Sequence, residues 1–288
     1  MSEDHVYLSL VEEHNGDSAR WAFGTGFEDP LYGIDTTVPA DVDRARLAAC
    51  CLALGDDALV LAQRLAQWLT CAPELESEVA LANLGLDLLG QARMLYARAG
   101  QADGSGRDED AYAYFREPAE FRNVLLAELP NGDFAFSIAR LLILSTWRLA
   151  LFDRLADAPD PVLAAIAAKG IKELTYHREF AAEWAVRLGD GTAQSHGRMQ
   201  AGLDEAAAYL GELLFADDGD FGLDAASVRT DVEAVLRHVA DAAGLTLRLP
   251  PAPTAPAAVG RAGEHTEHLA PLLAELQSEA RADPEATW

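Results

Sequence analysis

The sequence predicts an all-α protein, a bundle of four long helices with additional helices and an extended N-terminal arm. Three observations predict it. Over four stretches of more than 20 residues, apolar side chains recur at steps near three and four, which keeps one face of a helix apolar. Proline and turn residues punctuate the chain between those stretches (Pro73, Pro130-Asn131-Gly132-Asp133, Pro159-Asp160-Pro161). No segment reads convincingly as a strand.

Residues 1–43 form the arm. Gly16, Gly24, Gly26, Pro30, Gly33 and Pro39 interrupt any helix there. Trp21, Phe23, Phe27 and Tyr32 are too many rings for a disordered leader. They fit an extended segment laid across a surface. A helical domain over 44–288 follows. In its first helix Leu47, Cys51, Leu54, Ala58, Leu61, Leu65 and Trp68 make a seam of period 3.5, as in helices packed nearly parallel. The second helix runs from about Glu74 to Ala99. Leu81, Leu84, Leu88, Gln91 and Leu95 share one stripe, while Val79, Ala82, Leu86 and Leu89 make a second oily one. A loop over Gly100–Asp110 and a short helix over Asp108–Phe115 come next. The third long helix starts after Asp133, a candidate N-cap, and shows Phe134, Ile138, Leu141, Ser145 and Phe152 on one face. The fourth starts at Pro161, which suits a first helical turn, and its seam is Leu163, Ala167, Gly170, Leu174, His177, Ala181, Trp184 and Leu188. Further helices are expected over about 197–215, 225–243 and 267–282, with a Pro/Ala-rich loop at 250–256.

Composition narrows the function. The chain has 288 residues, half of them apolar, and 22 basic against 47 acidic groups, a formal charge of −25. Half-apolar composition excludes a disordered chain. The acidic balance argues against a nucleic-acid or anionic-membrane partner. The start of the chain carries acids where a secretion signal needs a basic patch, and no run of ~18 apolar residues reads as a membrane span. Cys50, Cys51 and Cys71 form no C-x-x-C pair, so reduced thiols and a cytoplasmic location are expected. Lysine occurs only at 169 and 172. We read that scarcity as a GC-rich coding bias, in which choosing arginine says little about chemistry.

A long bundle with acids and histidines in its seams raises the possibility of a carboxylate-bridged di-iron site. Such a site takes a Glu from each of two helices and a Glu-x-x-His from each of the other two. The second helix reads Asp87-Leu88-Leu89-Gly90-Gln91-Ala92-Arg93, similar to the D-E-L-G-H-A-R segment of ferritin-like oxygenase subunits. Leu88 stands in the Glu position and Gln91 in the His position. The fourth helix, Glu173-Leu174-Thr175-Tyr176-His177, resembles the second E-x-x-H with Leu174 for Glu and His177 retained. Leucine cannot ligate iron, and one His cannot hold two metal ions.

Five runs narrow the resemblance: GDDALVLAQRLAQW (55–68), ALANLGLDLLGQARMLY (80–96), PNGDFAFSIAR (130–140), AAIAAKGIKELTYHREF (164–180) and GEHTEHLAPLLAELQ (263–277). In this order, over about 45–288, the chain resembles the structural subunits of ring-1,2-phenylacetyl-CoA epoxidases, the multicomponent monooxygenases of bacterial phenylacetate catabolism. The resemblance implies a ferritin-like fold and a non-catalytic scaffold subunit. It implies a homologous partner subunit holding the di-iron centre and epoxidising the ring. It also implies a separate reductase passing electrons from NADPH through FAD and an iron–sulfur cluster. This chain itself would then carry no catalytic residue and no cofactor; Leu88, Gln91, Leu174 and His177 would be vestigial ligand positions. The alternative is a stand-alone di-iron oxygenase or iron-binding protein with other ligands.

Remaining candidates have plainer readings. Asp57, near the first seam, is either a remnant metal carboxylate or, the reading we take, a polar group paired inside the bundle. Lys169 and Lys172 are read as surface lysines; the sharper idea is an ammonium in the vacated metal cavity, paired with Asp57 or Asp87. Glu264, His265, Glu267 and His268 have ligand spacing but too few imidazoles, so helix capping or a partner contact is expected. Asp217-Asp218-Gly219-Asp220 fails the EF-hand pattern and reads as a solvated turn. No phosphate-binding or nucleophile-elbow motif is present, so nucleotide hydrolysis and serine-hydrolase chemistry have no support.

Overall fold

The computed structural model describes residues 31, 33–215, 223–251 and 259–285. Among them there are ten α-helices and no strand. The four long ones are α1 (Arg44–Ala66), α2 (Leu75–Asp103), α5 (Phe134–Leu155) and α6 (Pro161–Gly189). Between the two pairs lie α3 (Glu109–Tyr114), a 3-10 turn at Pro118–Glu120 and α4 (Leu125–Glu128). After them come α7 (Ala193–Ala207), α8 (Leu210–Leu214), α9 (Ala225–Ala242), a 3-10 turn at Gly260–Ala262 and α10 (Leu269–Ala282). α1 packs along α2 and α5 along α6; α2 meets α6 to join the pairs, and α7 and α9 cover α5.

The seams explain the packing. All seven apolar residues of the α1 seam are buried, as are Leu81, Leu84, Leu88, Gln91 and Leu95 of α2. Caps fix the starts. The Asp43 carboxylate accepts from the backbone N–H of Ala45 and Arg46, that of Asp133 from Phe136, and that of Asp160 from Leu163, with Pro161 in the first turn.

Several boundaries differ from expectation. The α2 helix runs through Gly100 to Asp103. Gly100 is needed for close approach, since a Cβ there would lie 2.0 Å from the Arg107 carbonyl oxygen; the helix ends instead at Gly104, whose φ of +73° suits glycine alone. The segment expected over 197–215 begins earlier, at a capping box between Thr192 and Ser195, and breaks at Ala208-Tyr209 into α7 and α8. The 3-10 turn at Pro118–Glu120 and α4 have no helical periodicity to announce them, being one turn each. Among the described residues one helix, α5, is long and apolar enough to cross a membrane by length and composition, although Arg140 and Arg148 interrupt its apolar run; 94% of its apolar window is buried inside the bundle.

At the end of the arm, Leu31, Ile34, Val38 and Val42 pack on the core, and the Thr36 carbonyl oxygen accepts from Arg98. Trp21, Phe23, Phe27 and Tyr32 lie outside the described residues, as do Asp217–Asp220 and most of the Pro/Ala-rich loop. Cys50 and Cys51 are buried, Cys71 is exposed, and no disulfide joins described residues.

Candidate functional site

The α2 and α6 seams bring the four positions that the resemblance aligns with metal ligands to the centre of the bundle. Leu88, Gln91, Leu174 and His177 are each at most 1% exposed. Glycine on the α6 seam makes room: a Cβ on Gly170 would collide with the ring of Phe152 from α5.

A polar thread crosses this centre and touches all four long helices. From α5, the Arg148 guanidinium donates to the Gln91 side-chain oxygen on α2 at 3.0 Å and to the Leu54 carbonyl oxygen on α1 at 3.0 Å. It stands 3.7 Å from the Asp57 carboxylate of α1. The other end of the Gln91 amide donates to Glu173 on α6 at 2.9 Å. Glu173 is ion-paired one turn back to Lys169. Burial pushes Arg148 down to about 10, against the Asp57 carboxylate that holds it up, so it stays charged at neutral pH.

Asp57 is 2% exposed and paired, as expected from the sequence. Besides Arg148 it accepts from Arg261 at 2.7 Å and from the Val124 backbone N–H at 2.8 Å. It thereby ties α1 to the loop before α10 and to the segment before α4. His177 places Nε2 3.1 Å from an oxygen of Asp87, while its buried Nδ1 has no partner among the described residues. With a carboxylate as acceptor, Nε2 carries the proton.

The donor set at this centre is two alkyl side chains, an amide engaged at both ends and one imidazole bonded to Asp87. Asp57, Asp87 and Glu173 each face a different partner. This does not fit a carboxylate-bridged pair of irons. Among the described residues no group of three or more His, Cys, Asp and Glu side chains is placed to hold a metal ion.

The cation beside Gln91 and Asp57 is an arginine from the third long helix, not a lysine. Lys169 takes Glu173, and Lys172 is exposed. Arginine choice therefore does carry chemistry here, against the expectation from coding bias: Arg64, Arg98, Arg116, Arg140 and Arg148 are all buried. The sequence holds a signal for it. Leu141, Ser145, Arg148 and Phe152 continue one seam at steps of 4, 3 and 4, so Arg148 sits in line with core residues.

The cluster at 264–268 divides: His265 is engaged inward, while Glu264 and Glu267 are exposed. His265 Nδ1 lies 2.8 Å from Glu128 and its Nε2 3.0 Å from the Phe121 carbonyl oxygen. His268 begins α10 with no side-chain cap. Both partners of the His265 ring are acceptors, so both ring nitrogens donate and the ring is an imidazolium. Burial opposes its charge, but the Glu128 and Phe121 hydrogen bonds prevail and hold its pKa above the ordinary 6.5. Burial likewise opposes the Glu128 charge, and hydrogen bonds from His265, Thr266 and Asn123 outweigh it and hold the carboxyl below 4.5. The imidazolium contribution is complete below pH 6.5 and is lost as pH rises through the raised value. The carboxylate contribution is complete above pH 4.5 and is lost as pH falls through the depressed one. The pair thus stabilises most between about pH 4.5 and 6.5. A melting-temperature profile should decline above that window, and His265→Gln should flatten the decline; an unchanged slope would contradict the imidazolium.

Comparison with known proteins gives two findings. Residues 33–288 match the family described as phenylacetic acid catabolic protein. One of the subunits of the 1,2-phenylacetyl-CoA epoxidase of Escherichia coli (strain K12) is 45% identical over 249 residues, which cover 84% of this chain and 99% of that one.

Proposed function

The chain belongs to the phenylacetic acid catabolic protein family, and from that membership we propose that it is a non-catalytic, ferritin-like scaffold subunit of a multicomponent monooxygenase that epoxidises the ring of phenylacetyl-CoA. The observation that carries this reading is the guanidinium of Arg148 at the bundle centre, hydrogen-bonded to Gln91 at a ligand position and near Asp57. One positive charge there supports a bundle held together by leucine packing and a fixed ion network. On this reading the di-iron centre belongs to a homologous partner subunit. Electrons come from NADPH through a separate FAD and iron–sulfur reductase, and the assembly is cytoplasmic, without membrane or nucleic acid.

The exposed side of α2 supports an interface with another subunit. Leu75, Val79, Leu86 and Leu89 are 69%, 53%, 64% and 37% exposed and share the heptad-spaced stripe opposite the buried one. An apolar stripe on so acidic a chain calls for cover, and a helix face of a homologous bundle offers matching spacing.

The test is co-expression with the homologous subunit, followed by metal analysis and turnover. The expected result is a complex whose iron resides in the partner. Turnover should be largely kept in His177→Ala, and assembly should be weakened at least about tenfold by Leu86→Glu. About two irons per chain, lost with activity in His177→Ala, would instead favour a stand-alone di-iron protein. Asp57, Asp87 and Glu173 would then have to leave the partners described above.

A further inference from the structure

Where α2 passes α3 and α10, the surface opens into a groove of about 910 Å³. Its floor is apolar: Leu59, Ala92 and Tyr96 are buried at its base. Its rim is acidic. Asp108, Glu109, Asp110, Glu279 and Asp283 line it against one cation, Arg93, which is already paired with Glu109 at 2.6 Å. Asp110, Glu279 and Asp283 have no ion-pair partner among the described residues. Phe115, at the mouth, is 45% exposed.

This combination selects its occupant by charge. An acyl-CoA brings phosphates, which the carboxylates repel. Residues 1–30 of this chain bring seven carboxylates and one arginine, so the arm is repelled as well. A second copy carries the same charge of −25. The groove suits a polypeptide segment with an aromatic or aliphatic anchor between Lys or Arg residues. The anchor would cover the floor and the cations would meet the rim. Its volume is at the upper end of the roughly 300–1,000 Å³ of ligand pockets, room for several side chains.

The groove is also continuous with the exposed α2 stripe, because Leu89 belongs to both. Resting on the scaffold reading above, we propose that the homologous bundle subunit that covers the stripe also inserts a basic, apolar-anchored segment into the groove between α2, α3 and α10.

The probes are synthetic peptides tiling the sequence of that subunit, titrated against the full-length chain by fluorescence anisotropy. We expect a tile with at least two Lys or Arg flanking an apolar anchor to bind. Its affinity should fall about tenfold between low and high salt, and about tenfold again in Glu279→Lys/Asp283→Lys. Both substitutions lie at the C-terminal end of α10 on exposed residues, where cations suit the helix dipole, so the fold is not put at risk. The proposal is overturned if no tile binds or if acidic tiles bind best. It is equally overturned if the double substitution changes nothing. The two readings fail separately. An intact two-protein complex with an indifferent groove variant removes the inserted segment and leaves the scaffold. A chain that never associates with the homologous subunit removes the scaffold, whatever the peptides do.

Discussion

Alanine in place of Arg148 is expected to lower the unfolding free energy by about 3–5 kcal/mol, the range for removing one member of a buried charged network. Three losses contribute. The Gln91 side-chain oxygen, 3.0 Å from the guanidinium, is left buried without its donor. Asp57 loses its second cation. A cavity opens beside Leu54 and Phe152, which the guanidinium now covers at 5.1 Å from the ring centroid. For a chain of this size the melting temperature should fall by roughly 10 °C. Denaturant unfolding followed by circular dichroism measures the change. The double variant Arg148→Met/Gln91→Leu makes the site apolar on both sides and should recover most of the loss, since a buried ion network gives way to well-packed apolar groups at little net cost. If Arg148→Ala unfolds like the wild type, the polar thread has no structural role.

Asp57→Ala should be at least as damaging, about 3–5 kcal/mol. It leaves two guanidinium groups, Arg148 and Arg261, without their carboxylate, and takes the acceptor from the buried Val124 N–H. The damage should also have an address. Arg261 anchors the turn before α10 to α1, and Val124 leads into α4. Hydrogen exchange should therefore accelerate first around 122–126 and 259–265, before the long helices loosen. Asp57→Asn keeps an oxygen for Val124 and should lose less. In a double-mutant cycle, Asp57 and Arg148 should couple by about 0.5–3 kcal/mol. Simple additivity would mean that the 3.7 Å separation carries no energy.

The four long helices were legible because each has a seam of period 3.5 and a side-chain cap or a breaker at its ends, and these are local signals. Burial of Leu88, Gln91, Leu174 and His177 was legible for the same reason. The network around them was not. Arg148 lies in line with Ser145 and Phe152, yet a charge in a core seam looks like an error until its partners are known. Those partners come from α1 and α2, 94 and 57 residues away in sequence. The Glu128–His265 pair escaped for a similar reason: a one-turn helix and a turn meet across 137 residues. Periodicity reports which face of a helix is buried; it cannot report which distant group waits there.

The burial of α5 has a consequence for the making of the protein. On the ribosome α5 emerges before α6, α7 and α9, the helices that later cover it. For that interval the cell handles a 22-residue segment with a mean hydropathy of 1.5 over its apolar window, which insertion machinery would accept by length. Arg140 and Arg148 divide it roughly into thirds, and each adds about 2.5–3.5 kcal/mol to the cost of lying near a bilayer centre. The residues that cross-link the finished core thus also raise the cost of placing its most oily helix in a bilayer before its neighbours arrive.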